Sequence, residues 1–348
     1  MSSVKQSGRK REVNEIVTLL RAAEVGRLML GELERPMKRI DYDEYLAKPR
    51  REIQTQRAVV RDHLRGEIAK FCQNNFGNIK PVDLARLYEP LYVRGSIWRL
   101  PLIEFAAQLG QPKEGVLRGA PLHSTITLSP WGLQTEYPEM HLVKDLAVAF
   151  NSIVAIEDEL GEYKNIPWHK AKEEKTRNKV ANLQRLAAFH SRMCVLSCFN
   201  LAEAYINGIA WECVQTNDIS ALSKTKQKIL TEGQASILDK LVRIPEIVVG
   251  RTPGPLEKDN EPLVTFRDTI KPFRDSIVHA SPFAAPERFG GYEKLSKIYE
   301  LNYDTVQQTV EMTLTIIGMV HRFIGGSEQL PEWVPKRNDD GTFLIDKY

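Results

Sequence analysis

An arginine and a histidine stand five residues apart near the end of a long helical stretch: Arg274 and His279. If the stretch ends in a helix, slightly more than one turn of backbone brings both side chains to the same side. Arginine stays charged at physiological pH, and histidine as a residue type titrates near neutrality. The first can stabilise charge developing on a phosphate while the second moves a proton. The pair predicts metal-free phosphodiester chemistry.

Spacing alone does not identify the site, because two other pairs have the same separation. Arg118 and His123 flank a connection that contains glycine and proline. Arg185 and His190 fall in the middle of a predicted helix. A chain with seven histidines produces such spacings by chance. The third pair must therefore be judged by its neighbours.

The neighbours of the third pair favour a site. Asp275 follows Arg274 and can hold the guanidinium by hydrogen bonds. Ala280-Ser281-Pro282 follows His279 and ends regular structure, which leaves the imidazole where a substrate can reach it. We therefore take Arg274, Asp275 and His279 as candidate catalytic residues.

A structural role for the same residues stays open. In that interpretation His279 caps a helix carbonyl and Arg274 forms an ion pair. The candidate acceptors for Arg274 are Asp275, Asp268 and Glu261. The tripeptide Phe-Arg-Asp also occurs twice, at 266–268 and 273–275, and a repeat of seven residues suits packing in consecutive helical turns.

Composition indicates an ordinary soluble protein. The chain has 348 residues, of which 42% are hydrophobic and 27% charged, enough for one large or two modest domains. It contains no run of about 18 apolar residues, and its basic, amphipathic beginning has no signal-peptide core. We expect a cytoplasmic protein that does not enter membranes. The net charge of +3 is too small to mark the whole chain as a polyanion binder.

The sequence predicts no metal or cofactor site. The four cysteines lack the paired spacing of metal ligands, and three fall in one predicted helix, so buried thiols in a reducing compartment are expected: Cys72, Cys194, Cys198 and Cys213. The acidic run at 157–159 predicts a solvated helix end, because consecutive helical residues point in different directions.

The first half of the chain divides into two segments. Residues 1–75 predict a helical hairpin, with apolar residues at helical spacing over 10–34 and 51–72. Its arginines are interpreted as a solvated face rather than an RNA contact: Arg50, Arg51, Arg57, Arg61 and Arg65. Residues 76–165 are rich in proline and glycine and predict short helices over 84–92 and 97–109. A small β-hairpin is expected around the turn at 129–132.

The second half predicts a helical bundle over 166–326, followed by a polar tail at 327–348. A helix over 171–214 has an apolar face wide enough for burial among several others. The next helical stretch is expected to end at Pro245. Asp304 and Gln307 predict a capping box for the last helix. The fold class is therefore mainly α.

The second half resembles the HEPN family (higher eukaryotes and prokaryotes nucleotide-binding domain). The resemblance covers about residues 175–325 and rests on three stretches: Leu201–Ile209, Lys240–Ile247 and Arg274–His279. The family motif is an arginine, a polar residue next to it, and a histidine within four to six positions. The first 140 residues lie outside this resemblance.

The resemblance implies a helical bundle that forms a homodimer with one composite site. Active members cleave RNA without metal and leave a cyclic 2′,3′-phosphate. His279 would then move protons at the 2′-hydroxyl or the leaving 5′-oxygen, Arg274 would neutralise the phosphorane and Asp275 would orient Arg274. Members occur in toxins and anti-phage systems, and whether a regulatory protein partner controls the activity of this chain stays open. Other members are inactive RNA- or protein-binding modules, and that alternative stays open.

Overall fold

The architecture comes from a computed structural model, whose described residues are mainly helical with one small sheet. These residues are 14–15, 17–23, 25, 62, 65–70, 72–74, 80–88, 100–109, 121–129, 132–164, 166–167, 170, 172–231, 235–279 and 291–345. The expected mainly α fold is confirmed. Arg50, Arg51, Arg57 and Arg61 lie outside the described residues, as do Arg118 and most of the 10–34 and 51–72 stretches.

Contacts divide the chain into two units, Met1–Tyr137 and Pro138–Tyr348. This division differs from the predicted segment at 76–165, because the helix that begins at Pro138 packs with the second unit. Composition misplaced the boundary, since the proline and glycine residues continue up to the first residue of that helix.

The first unit combines helices with a three-stranded antiparallel sheet. Of the elements whose two ends the structure describes, helix α1 (Pro81–Arg86) comes first in the chain, then β1 (Leu100–Pro101), α2 (Leu102–Leu109), β2 (Thr125–Ser129) and β3 (Gly132–Glu136). Strand β2 pairs with β3 from Thr125↔Glu136 to Ser129↔Gly132, which is the expected hairpin. Strand β1 pairs with the other edge of β2, and the helix predicted over 97–109 begins after this strand, at Leu102.

A helix of 43 residues, α4 (Glu174–Thr216), organises the second unit. The same unit contains α3 (Pro138–Gly161), α5 (Lys224–Thr231), α6 (Ile237–Val249), α9 (Gly291–Glu300) and α10 (Tyr303–Phe323). Helices α3, α5, α6 and α10 pack directly on α4. A stretch of α4 is long and apolar enough to cross a membrane, and 61% of it is buried inside the chain, as in the core helix of a bundle.

Two helix boundaries differ from the sequence prediction. Helix α6 continues through Pro245 and ends at Val249. The next residue, Gly250, caps it with a φ of +70° and donates its N–H to the carbonyl of Glu246 at 2.9 Å. Glycine adopts this left-handed conformation without strain. The last helix is capped by Asn302, whose Oδ1 accepts the N–H of Thr305 at 3.0 Å, not by the expected capping box.

The C-terminal segment packs into the core, where the sequence predicted a polar tail. Val334 and Phe343 are buried, and the Phe343 ring meets Phe150 edge-on at 5.8 Å. The Asn151 side chain makes two hydrogen bonds of 2.8 Å with the backbone of Phe343. Val334 and Phe343 attach this segment to the core although most of its residues are polar. Its average polarity therefore did not predict its burial.

Candidate functional site

The candidate site lies on a continuous helical segment that changes its winding. Helix α7 (Leu263–Thr265) leads into a π-helical stretch at Phe266–Ile270, which leads into α8 (Lys271–Val278). The wider turn is closed by the Lys271 N–H, which donates to the carbonyl of Phe266. The π-helical stretch lies just before Pro272. In an ordinary α-helix the ring of this proline would collide with the carbonyl four residues earlier, and the wider turn avoids that collision.

Arg274 lies between a carboxylate and an aromatic ring. Its Nη1 donates to Asp275 Oδ1 at 3.0 Å, and its Cζ lies 4.5 Å from the centre of the Phe199 ring. Phe199 belongs to α4 and stacks on Phe266 at 5.6 Å. A guanidinium over an aromatic face gains cation–π energy. The contacts fix the direction of the Arg274 side chain, which is 26% exposed.

Asp275 is shared by two cations. Its Oδ1 accepts from Arg274, and its Oδ2 accepts from Lys271 Nζ at 2.8 Å, one helical turn earlier. The carboxylate is 12% exposed, so these charge-assisted hydrogen bonds are only partly screened by water. Asp275 therefore holds Arg274 in place, a contact that both the catalytic and the structural interpretation of the sequence predicted.

Two other nitrogens of Arg274 have no hydrogen bond among the described residues. Nε is buried, and leaving such a donor unpaired costs about 1–3 kcal/mol. Nη2 also lacks a partner in this part of the chain, and the Arg274 side chain as a whole is 26% exposed. The guanidinium therefore keeps an accessible donor that can bind an oxyanion.

His279 ends α8 and is exposed. Its backbone N–H donates to the carbonyl of Asp275 at 2.9 Å, which closes the last turn. Its imidazole has no hydrogen bond or ion pair with any described residue. The helix end is therefore capped by the backbone N–H of His279, and not by its ring as the structural interpretation proposed. An exposed, uncommitted imidazole one turn beyond a fixed guanidinium can accept or donate a proton on a bound ligand.

The other two histidine pairs have different surroundings. His123 meets the Tyr137 ring edge-on at 6.4 Å, and His190 lies in the middle of α4 against Phe189 at 5.2 Å. Neither histidine stands at the end of a helix. The structure thus distinguishes the third pair by position, as its neighbours in sequence suggested.

The alternative acceptors for Arg274 are engaged elsewhere. Asp268 binds Arg267 through two hydrogen bonds of 2.7 and 2.9 Å, and Glu261 binds Thr265. The Arg267 guanidinium lowers the pKa of Asp268, first through its hydrogen bonds and then through its charge. Of the three candidates, only Asp275 contacts Arg274.

Two contributors to the site were missed by sequence reasoning. Lys271 stands four residues before Asp275, and this spacing on a helix was a usable signal. Phe199 lies 75 positions before Arg274 on another helix, so nothing local to the motif indicates it.

Within the described ranges, the other residues that could hold a metal ion or act as nucleophiles form no metal-binding group. Among the described residues, no three of His, Cys, Asp and Glu are grouped to hold a metal ion. The four cysteines are free and buried. Burial raises the pKa of the Cys194 thiol well above its ordinary value, which disfavours the reactive thiolate.

Comparisons with known protein families, with curated proteins and with solved structures find no match to this chain.

Proposed function

We propose that this chain is a metal-independent endoribonuclease of the HEPN type, in which two protomers bring Arg274 and His279 together in one composite site. The observation that supports it is the end of α8. There an exposed imidazole follows, by little more than one turn, a guanidinium that Asp275 and Phe199 hold in a fixed direction.

The proposed reaction is transesterification within RNA. One His279 takes the proton of a 2′-hydroxyl, the 2′-oxygen attacks the adjacent phosphorus, and the bond from phosphorus to the 5′-oxygen breaks. The second His279 gives a proton to the leaving oxygen, and a cyclic 2′,3′-phosphate remains. The accessible Nη2 of Arg274 stabilises the charge on the phosphorane. DNA lacks the attacking hydroxyl and is not a substrate.

The biological setting of the proposal follows from the resemblance. RNA is the substrate, a second copy of the chain is the first partner, and a regulatory protein restrains or releases the activity in a toxin or anti-phage system. The four buried free thiols are compatible with the reducing cytoplasm.

A second candidate is a catalytically inactive HEPN-like module that binds RNA or protein. One observation favours it: Arg274 joins α4 to α8 through Phe199, and it shares Asp275 with Lys271. These are the contacts of an arginine that holds helices together. Under this candidate, cleavage is absent although the fold is intact.

The deciding experiment is RNA cleavage in EDTA by wild type, Arg274→Ala and His279→Ala. We expect each substitution to lower the rate by about 10²–10⁴-fold, the range for a lost proton-transfer or charge-stabilising group. Arg267→Ala and His190→Ala are the matched controls, and both should retain wild-type rates. Oligomer size and unfolding are measured for every variant.

The outcomes separate the candidates. Chelation-resistant cleavage that disappears in both site variants supports the ribonuclease. Cleavage that persists in both places the active site elsewhere. If the wild-type dimer binds RNA and cuts none, the inactive module is favoured.

A further inference from the structure

A separate cavity of about 370 Å³ lies in the second unit between α4, α5 and α6. Helix α4 lines it with Asn207, Ala210, Trp211 and Val214, whose spacing puts them on one helical face. Helix α5 adds Ile229, and α6 adds Lys240. Helix α5 also contributes Leu230 and Thr231, so the wall is mostly apolar and its polar residues are Asn207, Thr231 and Lys240. None of these residues belongs to the site on α8.

Lys240 is the unusual member of this wall. It is only 6% exposed, and its Nζ donates to Asn207 Oδ1 at 2.9 Å. An ammonium group has three donors. Within the part of the chain that the structure describes, no carboxylate forms an ion pair with it. A buried charge that is balanced by one neutral oxygen is costly.

The other paired lysines show the opposite arrangement. Lys179, Lys258, Lys271 and Lys297 are at least 41% exposed at their side chains, and each has a carboxylate partner. Water already screens those four charges. Of these five lysines, Lys240 is the least exposed, and it lines the cavity described here.

Asn207 adds a second donor beside the ammonium. Because Lys240 can only donate, the oxygen of the Asn207 amide faces it. The Nδ2 group of Asn207 has no hydrogen bond among the described residues. Two donors thus stand next to each other at the edge of an apolar cavity. A carboxylate has two oxygens, so one anion can accept a hydrogen bond from each of these donors.

We propose that this cavity binds a small organic acid. The carboxylate accepts hydrogen bonds from Lys240 Nζ and Asn207 Nδ2, and an aromatic or aliphatic body lies against Ala210, Trp211 and Val214. The cavity is within the ordinary size range for small ligands. The proposal concerns binding alone and stands whether or not the chain cleaves RNA.

The test is calorimetric titration of the purified full chain with acetate, hexanoate, benzoate and phenylacetate. We expect at least one acid with an apolar body to bind with a Kd of about 1 mM or tighter. Acetate should bind at least about tenfold more weakly than that acid, because it lacks the apolar body. The neutral analogue benzamide should also bind at least about tenfold more weakly, because it lacks the carboxylate. If no acid binds, or if benzamide matches benzoate, the proposal is overturned.

Two variants locate the binding. Lys240→Met removes the ammonium and keeps an apolar stem. Asn207→Asp keeps the shape of the side chain and supplies Lys240 with an internal anion that repels the ligand. Each should weaken binding of the acid about tenfold or more, whereas Lys228→Met, on the exposed surface of α5, should leave it unchanged. Both variants lower the local charge by one, the first by removing a cation and the second by adding an anion, so agreement between them guards against a folding defect in either one. Unchanged affinity in a folded variant of either kind overturns the proposal.

Discussion

The same tripeptide, Phe-Arg-Asp, occurs at 266–268 and at 273–275 in one continuous helical segment, with very different results. Both phenylalanines are buried. In the first copy the arginine binds its neighbouring aspartate at the surface, where both groups are well exposed. In the second copy the arginine lies on Phe199 and its aspartate also binds Lys271. Identical local sequence thus yields a surface ion pair in one place and a packed charge cluster in the other.

The difference arises from what the helix faces. The second arginine meets α4 at an aromatic ring, and a lysine one turn earlier completes its charge balance. An exposed ion pair contributes little to stability, because water screens it and two long side chains lose freedom. In a partly buried cluster, removal of any one charged group leaves its partners unbalanced and lowers the stability of the fold. The predictions below test this contrast.

Phe199→Ala should have the largest effect on stability. The substitution removes the ring beneath Arg274 and the stacking partner of Phe266, and it leaves a cavity in the core. We expect the free energy of unfolding to fall by about 3–5 kcal/mol in urea denaturation. The control is Phe189→Ala on the same helix, where the ring is 49% exposed. A loss of similar size in the control contradicts the prediction.

Asp275→Ala should destabilise by about 1–3 kcal/mol, because it leaves Arg274 and Lys271 close together without their shared anion. Asp268→Ala at the equivalent position of the first copy should leave unfolding unchanged within error. Denaturant midpoints of the two variants, measured at equal slope, give the comparison. Equal midpoints show that the second cluster is no more than a surface network.

Sequence reasoning predicted the mainly α fold, the hairpin and the long helix α4, because apolar periodicity and turn residues are local signals. It identified Asp275 as a partner of Arg274 for the same reason, since the two are adjacent. It missed Phe199, which is brought to Arg274 by the packing of two helices. Lys240 beside Asn207 was missed as well, because 33 positions separate them. Long-range juxtapositions follow from packing, and no single-sequence pattern contains them.

Arg274→Ala should destabilise less than Asp275→Ala, by about 1 kcal/mol. It removes the cation–π contact and one hydrogen bond, yet it also removes the buried unpaired Nε and leaves Asp275 bound to Lys271. Thermal and urea unfolding of Arg274→Ala beside Arg267→Ala measure the difference. If Asp275→Ala proves more stable than Arg274→Ala, Asp275 is not the residue that balances the charges of Arg274 and Lys271.

The smallest expected effect is in the titration of the first copy. Arg267 lowers the pKa of Asp268 below its ordinary 3.8 in the folded chain. Folding is therefore favoured by this carboxylate above its unfolded pKa, and that contribution is lost as the pH falls through the lower folded pKa. We expect the carboxyl NMR signal of Asp268 to titrate below 3.8 in wild type and to return towards that value in Arg267→Ala. The pair is exposed, so added salt should move the wild-type value upward in the same direction. If the pKa of Asp268 responds neither to salt nor to loss of Arg267, the Arg267–Asp268 ion pair is not formed in solution. The two copies of the tripeptide then differ in whether the ion pair forms, and not in how deeply it is buried.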